Sequence, residues 1–151
     1  DCEVLTMPWY LILKAIVDYL KIAKVADCIK MGYPEAESNG MDKDGYTVVY
    51  VGRSHETNRN IYHGGEGTVT LEVGAYVNDN GKDFDTGYEK LSALESKVQE
   101  QIEEWASQDM PVKEIEIMEV QIDETAGNPY IARPTLGSFM ALTAKWSKRT
   151  L

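Results

Sequence analysis

The sequence predicts one α+β domain, a mixed and mostly antiparallel sheet packed by two helices in the order α-β-β-α-β-β, with a long-loop hairpin. Three observations predict it. Residues 68–77 (TVTLEVGAYV) alternate apolar and polar side chains with the period of two of a strand. The following YEKLSALESKVQEQIEEWA repeats its apolar residues at helical spacing. Two more alternating segments, VKEIEIMEVQID and LGSFMALTAKW, come after it.

The first helix is expected over residues 9–29. Trp9, Ile12, Leu13, Ile16, Tyr19, Leu20 and Ala23 form its stripe, with Lys14, Asp18, Lys21 and Lys24 mainly off it. Thr6 is the expected N-cap, Pro8 lies in the first turn, and Gly32 and Pro34 mark the end. Residues 31–45 are polar and rich in turn formers and read as a loop.

Residues 46–51 (YTVVYV) read as a short strand, and the polar residues 52–67 as the long tip of a hairpin joining it to residues 68–77. In the second strand Val69, Leu71, Val73, Ala75 and Val77 share the core face, while Thr68, Thr70, Glu72 and Tyr76 share the other. Asp85 or Thr86 can cap the second helix. Its stripe is Leu91, Leu94, Val98, Ile102 and Trp105, and Glu89, Glu95, Glu100, Glu103 and Glu104 make its outer face acidic. The third strand shifts phase between Ile115 and Ile117 on one side and Met118, Val120 and Ile122 on the next, so a β-bulge is expected near residues 117–118. Leu136, Met140, Leu142, Ala144 and Trp146 alternate in the last strand. The single domain spans residues 1–151, with residues 1–6 and 147–151 expected to be flexible.

The 151 residues match one domain, since domains most often hold about 100–150. The net charge of −10 argues against unaided binding to nucleic acid or to an anionic membrane. The run WYLILKAIVDYL is too short and too charged to span a bilayer. Asp1 and Glu3 stand where a secretory leader would begin with bases. Cys2 and Cys28 read as free thiols.

No constellation carries chemistry. His55 and His63, with Glu56 and Glu66 nearby, could in principle bind zinc, but short paired ligand spacing is missing, so they read as exposed loop histidines. His63 opens an HGG resembling an esterase oxyanion loop, yet no G-x-S-x-G exists, and GGEG is no phosphate loop. Asp79, Asp83 and Asp85 do not fit an EF-hand and read as a solvated turn with a helix cap. Tyr46, Tyr50 and Tyr76 read as cross-strand packing. No catalytic, cofactor or metal residues are assigned, and the chain reads as a non-enzyme.

The segment EGTVTLEVGAYVNDN leads directly into the second helix, and DETAGNPYIARP, with Arg133 and Pro134 before the final strand, leads into LGSFMALTAKW. In this order and length the chain resembles the tail terminator, or tail-completion, proteins of long-tailed bacteriophages and related prophage minor tail proteins. The resemblance runs from about Trp9 to Trp146 and rests on order, length and pattern. The two long polar loops depart from a compact version of that family.

The resemblance implies a structural virion protein that assembles in the host bacterial cytoplasm. Its copies would form a hexameric ring capping the head-proximal end of the tail tube, ending tube polymerisation and offering a surface for head–tail joining. The implied partners are its own copies, the major tail tube protein and a head-side connector or head-completion protein. DNA would pass through the lumen without specific binding, and no membrane is involved. Carboxylates along such a channel would repel phosphate, although the same charge also serves solubility. The loop from residue 53 to residue 66, with Arg53, His55, Arg59, Tyr62 and His63, is the expected subunit- or partner-contact element. Two alternatives stay open: another neck component (a head-closure or head–tail adaptor protein), and a small ligand- or metal-binding domain using His55 and His63.

Overall fold

The structure, a computed structural model, describes residues 6–33, 43–61, 65–81, 83–128 and 134–148. It is an α+β fold with two helices on one face of a five-stranded mixed sheet. The elements are α1 (Pro8–Ala23), β1 (Cys28–Met31), β2 (Thr47–Asn60), β3 (Glu66–Asn78), α2 (Phe84–Ala106), β4 (Ile115–Gly127) and β5 (Thr135–Lys148). The sheet order is β1-β2-β3-β5-β4, with β1 parallel to β2 and the other pairs antiparallel.

α1 buries Ile12, Leu13, Ile16 and Leu20 of the expected stripe together with Val17, while Trp9 and Tyr19 are half-buried and Ala23 is exposed. Its N-cap is Met7, without a side-chain cap bond, rather than Thr6, and Pro8 fills the first turn. The helix ends at Ala23, not near Ile29, because Lys24 turns left-handed at φ 54° and its N–H closes on the carbonyl of Lys21. The chain then enters a strand instead of a longer helix. Asp27 and Thr47 fix it reciprocally: the Thr47 N–H donates to Asp27 Oδ2 and the Asp27 N–H to Thr47 Oγ1, both at 2.9 Å. Cys28 through Met31 pair in parallel with Val48 through Val51. A parallel neighbour requires a long crossover, which accounts for the polar stretch between β1 and β2. Residues 34–42 of that stretch lie outside the described residues.

β2 differs most from expectation. It does not stop at Val51 but runs to Asn60, so most of the expected loop tip is strand paired with β3. Its distal half carries polar residues on both faces and is held by ladder hydrogen bonds to β3, so no apolar alternation marks it as a strand. Two register shifts, between Arg53 and His55 and between Thr57 and Asn60, break the pairing, and Asn58 sits at φ 54° within the second. β3 and β5 pair from Glu66–Ser147 to Asn78–Thr135 without a shift. Ser147 and Lys148, expected to fray, belong to β5.

α2 is capped by Asp83, whose side chain accepts from the Thr86 N–H, rather than by Asp85 or Thr86. Leu91, Leu94, Val98, Ile102 and Trp105 are buried as expected. All but Leu91 meet Val69, Leu71 and Val73 of β3 and Met140, Leu142 and Ala144 of β5 in one core cluster, while Leu91 packs with Val77 and Leu136 in a smaller one. Each Val, Leu, Ile or Met side chain among them contributes roughly 1.5–3 kcal/mol when fully buried. The expected bulge in β4 is present, between Ile117 and Glu119, and a second lies between Ile122 and Glu124. Met118 is the extra residue of the first bulge and is 63% exposed, so it does not continue the core face with Val120 and Ile122.

The reverse face of the sheet is held differently. A Cβ on Gly74 would lie 1.9 Å from the Tyr50 ring, so only glycine lets that ring lie flat across β3. Tyr50 packs between Tyr33 and Tyr76, at centroid distances of 5.6 and 5.5 Å, and its hydroxyl donates to Glu72 Oε2 at 2.8 Å. The aromatic cluster therefore contains Tyr33 where the sequence suggests Tyr46. Burial foremost, then the bonds to Tyr76 and Glu72, pushes the Tyr50 hydroxyl well above its ordinary pKa.

Ile102 is 2% exposed in the middle of the core, so Ile102→Asp should cost several kcal/mol and leave the chain unfolded by circular dichroism. Gly74→Ala should lower stability by about 1–3 kcal/mol in chemical denaturation, through overpacking against Tyr50.

Candidate assembly surface

The residues expected to make contacts lie on the distal arm of β2, residues 53–61. Arg53 stacks its guanidinium 4.1 Å from the centre of the Trp9 ring, and its carbonyl accepts from the Tyr33 hydroxyl at 2.9 Å. His55 is exposed, with Nδ1 3.0 Å from Ser54 Oγ. Arg59 sits 3.5 Å from Glu56 Oε1 and reaches the Met7 sulfur at 3.9 Å. The arm is thus tied by its arginines to the start of α1. Tyr62 and His63 lie outside the described residues. Among the described residues, no three His, Cys, Asp or Glu side chains converge as metal ligands.

β1 covers β2 only as far as Val51, and the Gly32 N–H closes on the Val51 carbonyl. Beyond Arg53, no strand pairs with the outer side of the arm among the described residues. At the tip Ile61 is 79% exposed. At the opposite end of the sheet β4 is the terminal strand, and its outer edge is open over its length among the described residues. α2 covers β4 only thinly. A groove of about 840 Å³ remains between them, floored by Ile102, Ile117, Val120 and Ile122 and flanked by Met118 and Glu103.

The two edges differ in charge. β4 carries Glu116, Glu119, Asp123 and Glu124 and no cation. On the other edge Lys30, Arg53 and Arg59 face a single carboxylate, Glu56. Asp123 accepts from Gln121 and Thr143, and these bonds hold its carboxyl below the usual range. Lys145 pairs with Glu119 at 3.1 Å.

In the acidic turn before α2, Asp83 and Asp85 are exposed and Asp83 caps the helix as the solvated-turn reading expects, but Asp79 is not solvated. Asp79 is 1% exposed and meets Lys90 Nζ at 3.1 Å, and Lys90 also lies 3.6 Å from Asp44. The Asn80 N–H foremost, and Lys90 after it, hold the Asp44 carboxyl below its ordinary value. Sequence reasoning missed this network because its members lie up to 46 residues apart. It missed the Trp9 platform for Arg53 for the same reason.

No protein-family model matches the chain, and no curated protein matches it. Among solved structures, a chain of the virion of a native gene transfer agent particle superposes with a TM-score of 0.51 at 8% identity, covering 92% of this chain and 91% of that one. That likeness shows a shared fold. A chain from the sheath/tube terminator of an extracellular contractile injection system (PVC, extended state) matches with a TM-score of 0.37 at 12% identity, over 98% of this chain and 62% of that one. A TM-score that low carries no argument.

Glu56 is only 12% exposed and Arg59 is its cation, so Arg59→Ala leaves a largely buried carboxylate without its partner and should cost about 1–3 kcal/mol in thermal melts. A carboxyl with a lowered pKa stabilises the fold above its unfolded value, and that contribution is lost as pH falls through the folded value. The melting temperature should therefore fall between about pH 5 and about pH 2, and Asp44→Asn should flatten part of that slope.

Proposed function

We propose that this chain is a structural protein of a phage-type tail: a tail terminator whose copies form a hexameric ring on the head-proximal end of the tail tube. The observation that carries the reading is the end-to-end likeness of its fold to a chain of a virion particle, over nine-tenths of both chains. The resemblance in element order and pattern points the same way.

The mechanism lies in surfaces. One face of the ring matches the last ring of tube subunits and binds it, while the other face does not, so elongation stops there and the head-side protein finds its seat. Ring formation needs a contact between unlike patches whose rotation closes, and two open sheet edges at opposite ends of one sheet supply unlike patches. Carboxylates of the ring that face the lumen would repel the phosphates of passing DNA. In this reading Arg53, His55, Arg59, Tyr62 and His63 serve subunit contact.

Electron microscopy of particles assembled without this chain tests the reading. Overlong tubes without heads are expected. Tubes of normal length joined to heads would overturn it, and normal tubes lacking heads would assign the chain to a neighbouring neck component.

A further inference from the structure

We propose that the β4 edge and the groove beside it receive the arm, residues 53–61, of a second copy of this chain, so that successive copies join head to tail through their sheets. This rests on the ring reading above and specifies which surfaces make the ring.

Three observations carry it. Among the described residues no strand pairs with the outer side of β4 or of the arm beyond Arg53, and both lie at the ends of one sheet, so one copy can offer its arm while its own β4 takes another. Ile61, 79% exposed at the end of the arm, suits a groove floored by Ile102, Ile117, Val120 and Ile122. The charges then select the partner. Pairing β4 with another β4 would set Glu116, Glu119, Asp123 and Glu124 against their own copies, and pairing two arms would set arginine against arginine. Pairing arm with β4 places Arg53 and Arg59 among carboxylates. Like edges repel and unlike edges attract, which favours the head-to-tail contact a ring needs over a two-fold dimer.

The bulges support the same selection. Each edge strand carries two register shifts, so neither is a flat template for any passing strand. Only a partner twisted to match can follow either edge.

Disulfide trapping tests the inference. In a Cys2→Ser, Cys28→Ser background, Thr57→Cys on the arm is combined in turn with Glu119→Cys, Gln121→Cys or Asp123→Cys on β4, and each variant is oxidised and sized by non-reducing electrophoresis. A ladder of linked copies is expected from at least one pair, and nothing beyond a dimer from any single cysteine. Adding Ile61→Asp to the best pair should lower the linked fraction at least about tenfold, since it removes a buried apolar anchor. No ladder from any pair, or dimers from the β4 cysteines alone as abundant as the paired products, would overturn the proposal. Tube capping by the unoxidised background protein keeps the two readings apart. Capped tubes without a ladder sink only this surface, whereas uncapped tubes sink the ring itself.

Discussion

The unshifted pairing of β3 with β5 is the constraint on which the other elements depend. Thirteen consecutive residue pairs, from Glu66–Ser147 to Asn78–Thr135, hold one register. Side chains alternate strictly across a strand, so one register slip would move Val69, Leu71, Val73, Met140, Leu142 and Ala144 out of the core together. α2 packs over this pair, with Ile102 and Trp105 set into the same cluster. α1 then has a fixed neighbour, and β1 docks beside β2. The irregularities are all pushed outward: both flanking strands carry register shifts, and the central pair carries none.

The same division decides how much of the fold is legible in the sequence. Wherever a segment faces the core on one side, its period betrays it, as in the stripe of α2, the buried face of β3 and the alternation of β5. Even the first bulge of β4 shows as a change of phase at Ile117 and Met118. The distal half of β2 is illegible because what it meets, Trp9 and Met7, is distant in sequence and is met by arginines instead of apolar side chains, and polar residues without a period look like a loop. β1 is illegible for the opposite reason. Val25, Ala26 and Ile29 extend the apolar run of α1, and only the left-handed turn at Lys24 and the distant bond from Thr47 to Asp27 divert the chain into the sheet. Of the expected contact residues, Arg53, His55 and Arg59 do share one exposed arm, although that arm is strand rather than loop.

Charge and topology reinforce one another on this chain. A net charge of −10 spread evenly would oppose any self-association. Here the acids gather on α2 and β4, while one end of the sheet keeps Lys30, Arg53 and Arg59. The fold is therefore polar along the direction in which its strands are ordered. A protein built this way can be repelled by its own copies in most orientations and still accept them in one.

β5, the last strand described, lies inside the sheet. β5 sits between β3 and β4, which means that every earlier element waits for residues 135–148 before the core can close. During synthesis the β2–β3 hairpin and α2 emerge with apolar faces uncovered, and β4 has no strand to pair with. The sheet therefore closes only through contacts that are long in sequence and slow to form. A chain cut short before β5 would keep only β1, β2 and β3 as a sheet, leave the buried face of β3 half covered and give β4 no strand to pair with, so it would lack one of the two sheet edges that whole copies carry.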